Sequence, residues 1–216
     1  MPLLLRITMR PTTLALVAIF IVGLMGADAS LDGVAVTYGS VLKLRHGSTS
    51  GRLHSSDVRY DMGGPYFVVT GYRGVVDSNS YWVVRPVEGS SLRQGGLIPD
   101  GSIIRLQHMR TNNWLHTRSN PSPLSRNLEV SCREEQDGDM GDLWRLEFVD
   151  ESEVWMKDRK VRLKHVNTGS FLHSHEKAYL RVLARQMEVC GVDEEGANNV
   201  WLASEGVYLQ ATVLET

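Results

Sequence analysis

Five-residue stretches in which apolar and polar positions alternate recur three times along the chain: Leu42-Lys-Leu-Arg-His46, Ile104-Arg-Leu-Gln-His108 and Val161-Arg-Leu-Lys-His165. A period of two predicts strands with one buried face. Each stretch runs into a polar turn, marked by Gly47 and Gly51, by Asn112-Asn113, or by Asn167-Thr-Gly169. A Leu-His pair follows in every case: Leu53-His54, Leu115-His116 and Leu172-His173. Further strand-like segments stand at Phe67–Thr70, Leu128–Cys132 and Met187–Cys190, and a polar turn then feeds Trp82, Trp144 or Trp201. No segment after the N-terminal region carries a sustained helical period.

The spacing shows that these are copies of one unit. First and second histidines are 8 residues apart in every copy, and the second histidine and the tryptophan are 28 apart. Copies over residues 34–92, 96–152 and 153–209, each with four short strands, predict about twelve strands. Threefold repetition of a four-strand unit points to a β-trefoil, an all-β barrel capped by hairpins, because closure removes the sheet edges that would otherwise pair with other chains. A β-propeller competes, but three blades fall below the ~4 to 8 that propellers use.

Alternation puts His46, His108 and His165 on the side of Leu44, Leu106 and Leu163, the core side, where a neutral imidazole bonded to backbone is expected. A zinc ion shared by the three is disfavoured, since no carboxylate or cysteine recurs beside all of them. Trp82, Trp144 and Trp201, flanked by apolar neighbours, are read as core. The second histidines fall at hairpin ends, where part-exposure is expected. His54, His116, His173 and His175, with Arg52 and Asp57, are therefore the candidate ligand or partner-binding residues, with hairpin packing as the competing role.

Composition adds exclusions. The chain holds 23 basic against 25 acidic residues, and no basic stripe stands out, which argues against a nucleic-acid partner. The run Glu134, Glu135, Asp137, Asp139, Asp142 lacks the ligand order of an EF-hand and reads as a solvated loop. Nucleophile-elbow, Walker A and His-Glu-x-x-His motifs are absent, so no catalytic residue is expected. Cys132 and Cys190 are the only cysteines; sequence leaves open whether they form a disulfide or stay as two buried thiols.

At the N-terminus Arg6 and Arg10 precede an apolar run, Leu14 to Met25, and the triplet Ala27-Asp-Ala29. This reads as a signal peptide over residues 1–29, too short for the ~20 apolar residues of a membrane anchor. No later segment is read as a membrane span. The single asparagine at an acceptor spacing, Asn120, is blocked by Pro121, so no N-glycan is expected. The chain ends Thr-Val-Leu-Glu-Thr216, which is not a retrieval signal.

The Leu-His-Ser hairpins, Gly74-Val-Val-Asp-Ser-Asn-Ser-Tyr-Trp82, Asn127-Leu-Glu-Val-Ser-Cys132 and Trp201-Leu-Ala-Ser-Glu-Gly-Val-Tyr208 resemble the stromal cell-derived factor 2 family and its plant members across the whole mature chain. These are proteins of three MIR repeats, a module also found in protein O-mannosyltransferases. The resemblance implies residence in the endoplasmic reticulum lumen and action without catalysis or cofactor. It implies work beside a J-domain co-chaperone and BiP on unfolded clients, in quality control and the unfolded-protein response. Retention would then come through that partner. A lectin-like role toward glycans is the alternative that the mannosyltransferase relatives imply. Only Leu172-His-Ser-His175 keeps the family's full hairpin motif; Ser56 and Arg118 replace the last histidine in the other copies.

Overall fold

The computed structural model describes residues 33–60, 64–134, 138–181 and 183–212. The leader read over residues 1–29, Glu135, Asp137 and the last four residues lie outside them.

The alternating segments form β1 (Val41–His46), β5 (Ile103–His108) and β9 (Lys160–His165). Each turns into a longer strand carrying the Leu-His pair: β2 (Arg52–Arg59), β6 (Trp114–Pro121) and β10 (Phe171–Ala178). The turn is built alike three times. A left-handed residue, Ser50, Asn112 or Gly169 at φ 59°, 61° and 75°, donates its N–H to the carbonyl of the preceding histidine at 3.0, 2.8 and 2.9 Å. Glycine and asparagine adopt that conformation most readily; Ser50 must bear its cost. The third strands are β3 (Tyr66–Tyr72), β7 (Leu128–Arg133) and β11 (Met187–Val192). Three-residue 3-10 turns, Ser78–Ser80, Met140–Asp142 and Ala197–Asn199, then lead into β4 (Trp82–Pro86), β8 (Trp144–Phe148) and β12 (Trp201–Val207).

Pairings separate the twelve strands into two closed sets. One is a ring: β1 with β4, β4 with β5, β5 with β8, β8 with β9, β9 with β12, and β12 back to β1, all antiparallel. The other is three hairpins, β2–β3, β6–β7 and β10–β11, whose third strands meet pairwise as β3–β7, β7–β11 and β11–β3. A six-strand barrel capped by a triangle of hairpins is the β-trefoil. Every ring strand is paired on both sides, and single residue pairs, Arg45–Arg52, Gln107–Trp114 and Lys164–Phe171, join ring to cap.

The interior is Leu42, Leu44, Ile104, Leu106, Val161 and Leu163 of the ring with Leu53, Leu115 and Leu172 of the cap, none more than 1% exposed. Trp82, Trp144 and Trp201 are fully buried among them. Burying an indole removes enough apolar surface for about 4–6 kcal/mol each before conformational entropy is subtracted.

Candidate functional site

The first histidine of each copy locks one copy to the one before it. The Nδ1 atoms of His46, His108 and His165 each lie 2.9 Å from a turn threonine, Thr49, Thr111 or Thr168. Their Nε2 atoms face the carbonyls of Asn198, Asn79 and Gly141, on the preceding copy's 3-10 turn, at 2.9, 3.1 and 3.2 Å. A carbonyl only accepts, so the proton sits on Nε2 and the threonine hydroxyl donates to Nδ1. Burial holds all three imidazoles below their ordinary range, His108 down to about 4. Their rings lie against Trp201, Trp82 and Trp144 at 4.8, 5.1 and 5.1 Å. Each indole N–H in turn donates to the carbonyl of its own copy's Leu172, Leu53 or Leu115. These residues are spent on architecture.

Two of the hairpin histidines, His54 and His116, depart from the expected part-exposure. His54 and His116 are 6% and 4% exposed, because the 3-10 turn of the same copy folds over them. His54 Nδ1 meets Asp77 at 2.8 Å, and Ser80 also donates to Asp77. His116 Nδ1 meets Asp142 at 3.0 Å, with Arg133 close by at 3.7 Å. Asp77 is half-buried, which opposes ionisation. The hydrogen bonds from Ser80, His54 and the Asn79 amide outweigh burial and hold its carboxyl below the usual range. In the third copy the turn presents an amide instead: Asn199 takes the Gly196 N–H on Oδ1 and offers Nδ2 to His173 Nδ1 at 3.2 Å.

His173 and His175 are half-buried. Burial first, then the adjacent His175, pushes His173 down to about 4. His175 Nε2 meets the Glu188 carboxylate at 3.0 Å. Glu188 is fully buried, yet its bonds from His175, from Ser125 and from the Leu124 amide overcome that burial and bring it to about 2. His173 edges a depression of about 260 Å³ that Glu195, Asn198 and Asn199 also line.

The other candidates lie elsewhere. Arg52 is buried and pairs with Glu205 at 2.5 Å. Asp57 is exposed and reaches Arg110 at 3.9 Å. The disulfide left open by the sequence is not formed, and Cys132 and Cys190 are both buried free thiols. Register explains why: Cys190 stands opposite Glu129, and Cys132, three residues from Glu129 along β7, faces the other side of the sheet. Cys132 sits in the apolar core, where burial pushes its thiol up to about 12. Of the acidic run, Asp142 is no solvated loop residue but fully buried.

One surface feature escaped the sequence reading. Val41, Tyr81, Met109 and Val207 line a groove of about 650 Å³ with Ser78, Arg110 and Gly206. Met109 and Val207 are 54% and 67% exposed, and Val76, on the loop leading to Tyr81, is 98% exposed. Lys43, fully buried, ties that loop down through the Val75 carbonyl at 2.6 Å and lies over the Tyr81 ring. The four apolar residues come from separate segments, so no window of sequence displays them together.

No family model matches the chain. It is 50% identical over 184 residues to a stromal cell-derived factor 2-like protein of Arabidopsis thaliana, covering 85% of this chain and 84% of that one. The crystal structure of the SDF2-like protein from Arabidopsis thaliana superposes with a TM-score of 0.79 at 49% identity, over 83% of this chain and 100% of that one. The fold alone is shared with the S. cerevisiae protein O-mannosyltransferase Pmt1-Pmt2 complex bound to the sugar donor. That likeness has a TM-score of 0.67 at 24% identity and covers 87% of this chain and 29% of the other.

Proposed function

Because this chain belongs to the stromal cell-derived factor 2 family, we propose that it is a non-enzymatic accessory subunit of a chaperone complex in the endoplasmic reticulum lumen. There it works with a J-domain co-chaperone and BiP on unfolded clients, in quality control and the unfolded-protein response. No helix among the described residues is long and apolar enough to cross a membrane, and retention comes through the co-chaperone. The observation that carries this reading is the groove of Val41, Tyr81, Met109 and Val207. Single exposed apolar side chains such as Leu180 occur elsewhere, but apolar residues gathered around one exposed cleft are a common mark of a protein-binding face. The occupant proposed is an apolar segment of the J-domain partner. The hairpin imidazoles, by contrast, spend Nδ1 within their own copies. Affinity capture from the lumen with mass-spectrometric identification tests the proposal: the J-domain protein and BiP are the expected prey. An empty capture with folded bait overturns it.

A second reading, lectin-like recognition of glycans, is favoured by the depression beside His173, where Glu195, Asn198 and Asn199 offer polar groups to sugar hydroxyls. Titration with O-mannosyl glycans decides it, with loss of binding in His173→Ala expected if it holds.

A further inference from the structure

The outer face of each cap hairpin carries a quartet of side chains whose positions correspond across the copies. Cross-strand register sets His54 opposite Thr70, His116 opposite Ser131 and His173 opposite Cys190. Two residues along each strand stand Ser56 and Val68 in the first copy, Arg118 and Glu129 in the second, and His175 and Glu188 in the third. In the first quartet the Ser56 hydroxyl donates to the Val68 carbonyl at 2.8 Å, and in the second Arg118 pairs with Glu129 at 3.1 Å. The third is different in kind: two imidazoles, a thiol and a carboxylate.

We propose that His173, His175 and Cys190 form a binding site for a borderline-soft divalent transition-metal ion, zinc above all, with Glu188 beside them as the hydrogen-bond partner of His175. Ligand atoms of the two histidines and the cysteine all lie within 4.8 Å of one another. Tetrahedral zinc, with bonds of about 2.0–2.3 Å, needs ligand atoms somewhat under 4 Å apart, so closure takes a small contraction of one hairpin face. Thiolate and imidazole are the donors that borderline and soft ions select. The sulfur has an amide near it, Asn127 Nδ2 at 3.5 Å. On binding, the Cys190 S–H bond breaks, its proton leaves to solvent and a metal–sulfur bond forms, with no change of oxidation state.

The surroundings make this a labile site rather than a structural one. A metal-bound imidazole usually donates its other N–H to an acceptor. Here His173 Nδ1 takes a hydrogen bond from Asn199 Nδ2, and His175 Nδ1 takes one from the Lys177 amide. Loading the metal through Nε2 exchanges both contacts and also displaces the Glu188 carboxylate from His175 Nε2. In the second copy a carboxylate, Asp142, stands where Asn199 stands in the third. Asn199→Asp should therefore give His173 the acceptor it lacks.

Titrating the purified protein with Co²⁺ in a thiol-free reductant, then displacing it with Zn²⁺, tests the site. Expected is a saturating thiolate-to-cobalt absorption in the near ultraviolet that zinc abolishes. Cys190→Ser and His175→Ser copy residue types found at these positions in sibling repeats, so folding should survive, checked by circular dichroism. Cys190→Ser should remove the absorption and His175→Ser should weaken binding at least about tenfold; Asn199→Asp should tighten it about 10–100-fold, the scale on which outer-shell partners act. Absence of the absorption in the folded wild type, or its persistence in Cys190→Ser, overturns the site. Unchanged affinity in Asn199→Asp overturns His173 as a ligand.

Discussion

The indole of Trp201 and the imidazole of His46 lie 4.8 Å apart, centroid to centroid, and this contact joins the last copy to the first. The same step is made by Trp82 against His108 and by Trp144 against His165, so three identical contacts close the ring. Trp201→Ala should cost about 3–5 kcal/mol, the range for deleting a buried large aromatic. Trp201→Phe keeps most of the apolar volume but strands the Leu172 carbonyl, at a cost of about 1–3 kcal/mol. Urea unfolding of both variants reads the two losses separately.

Protonating the ring histidines should weaken the fold. Burial lowers the folded-state pKa of His46, His108 and His165 below the ordinary 6.5, to about 4 for His108. Between those values the unfolded chain binds protons that the folded chain refuses, so their contribution is complete above pH 6.5 and declines as pH falls. The midpoint of thermal unfolding should therefore drop from pH 7 toward pH 4.5, and His108→Gln should flatten that slope even if it lowers the midpoint at pH 7.

Asp142 and Asn199 occupy equivalent places, and each caps its 3-10 turn by accepting the N–H of Asp139 or Gly196. Asp142→Asn preserves that cap and should cost less than Asp142→Ala. The alanine leaves His116 and Arg133 without this buried carboxylate and should lose about 3–5 kcal/mol, as when one partner of a buried ion pair is removed. Denaturant midpoints of the two variants at pH 7 provide the comparison.

The trefoil was readable because its repeating residues sit at invariant spacings: a strand alternation ending in histidine, a second histidine 8 residues on and a tryptophan 28 beyond that. The state of the second histidines was not readable. The turn residue 26 positions on faces the Nδ1 atom in every copy, but it is Ser80, Asp142 or Asn199 in turn, and in the first copy the carboxylate comes from Asp77 at 23, so no repeated residue type announces them. Asp57, near His54 in sequence, points to solvent instead. The pairing of His173 with Cys190 depends on hairpin register across a bulge between Ser174 and Ala178, which composition does not encode. Lys43 reads as the polar position of an alternating strand, yet a loop from residue 75 onward covers it completely.

Calorimetric titration of the purified protein with the lumenal J-domain co-chaperone tests the docking groove most directly. Saturable binding is expected, weakened at least about tenfold, or 1.4 kcal/mol, when Val207→Glu and Met109→Glu put charge into the cleft. His173→Ala, on β10 and outside the lining of the groove, should leave it unchanged. Failure of the folded wild type to bind, or equal affinity with and without the groove charges, would contradict the assignment.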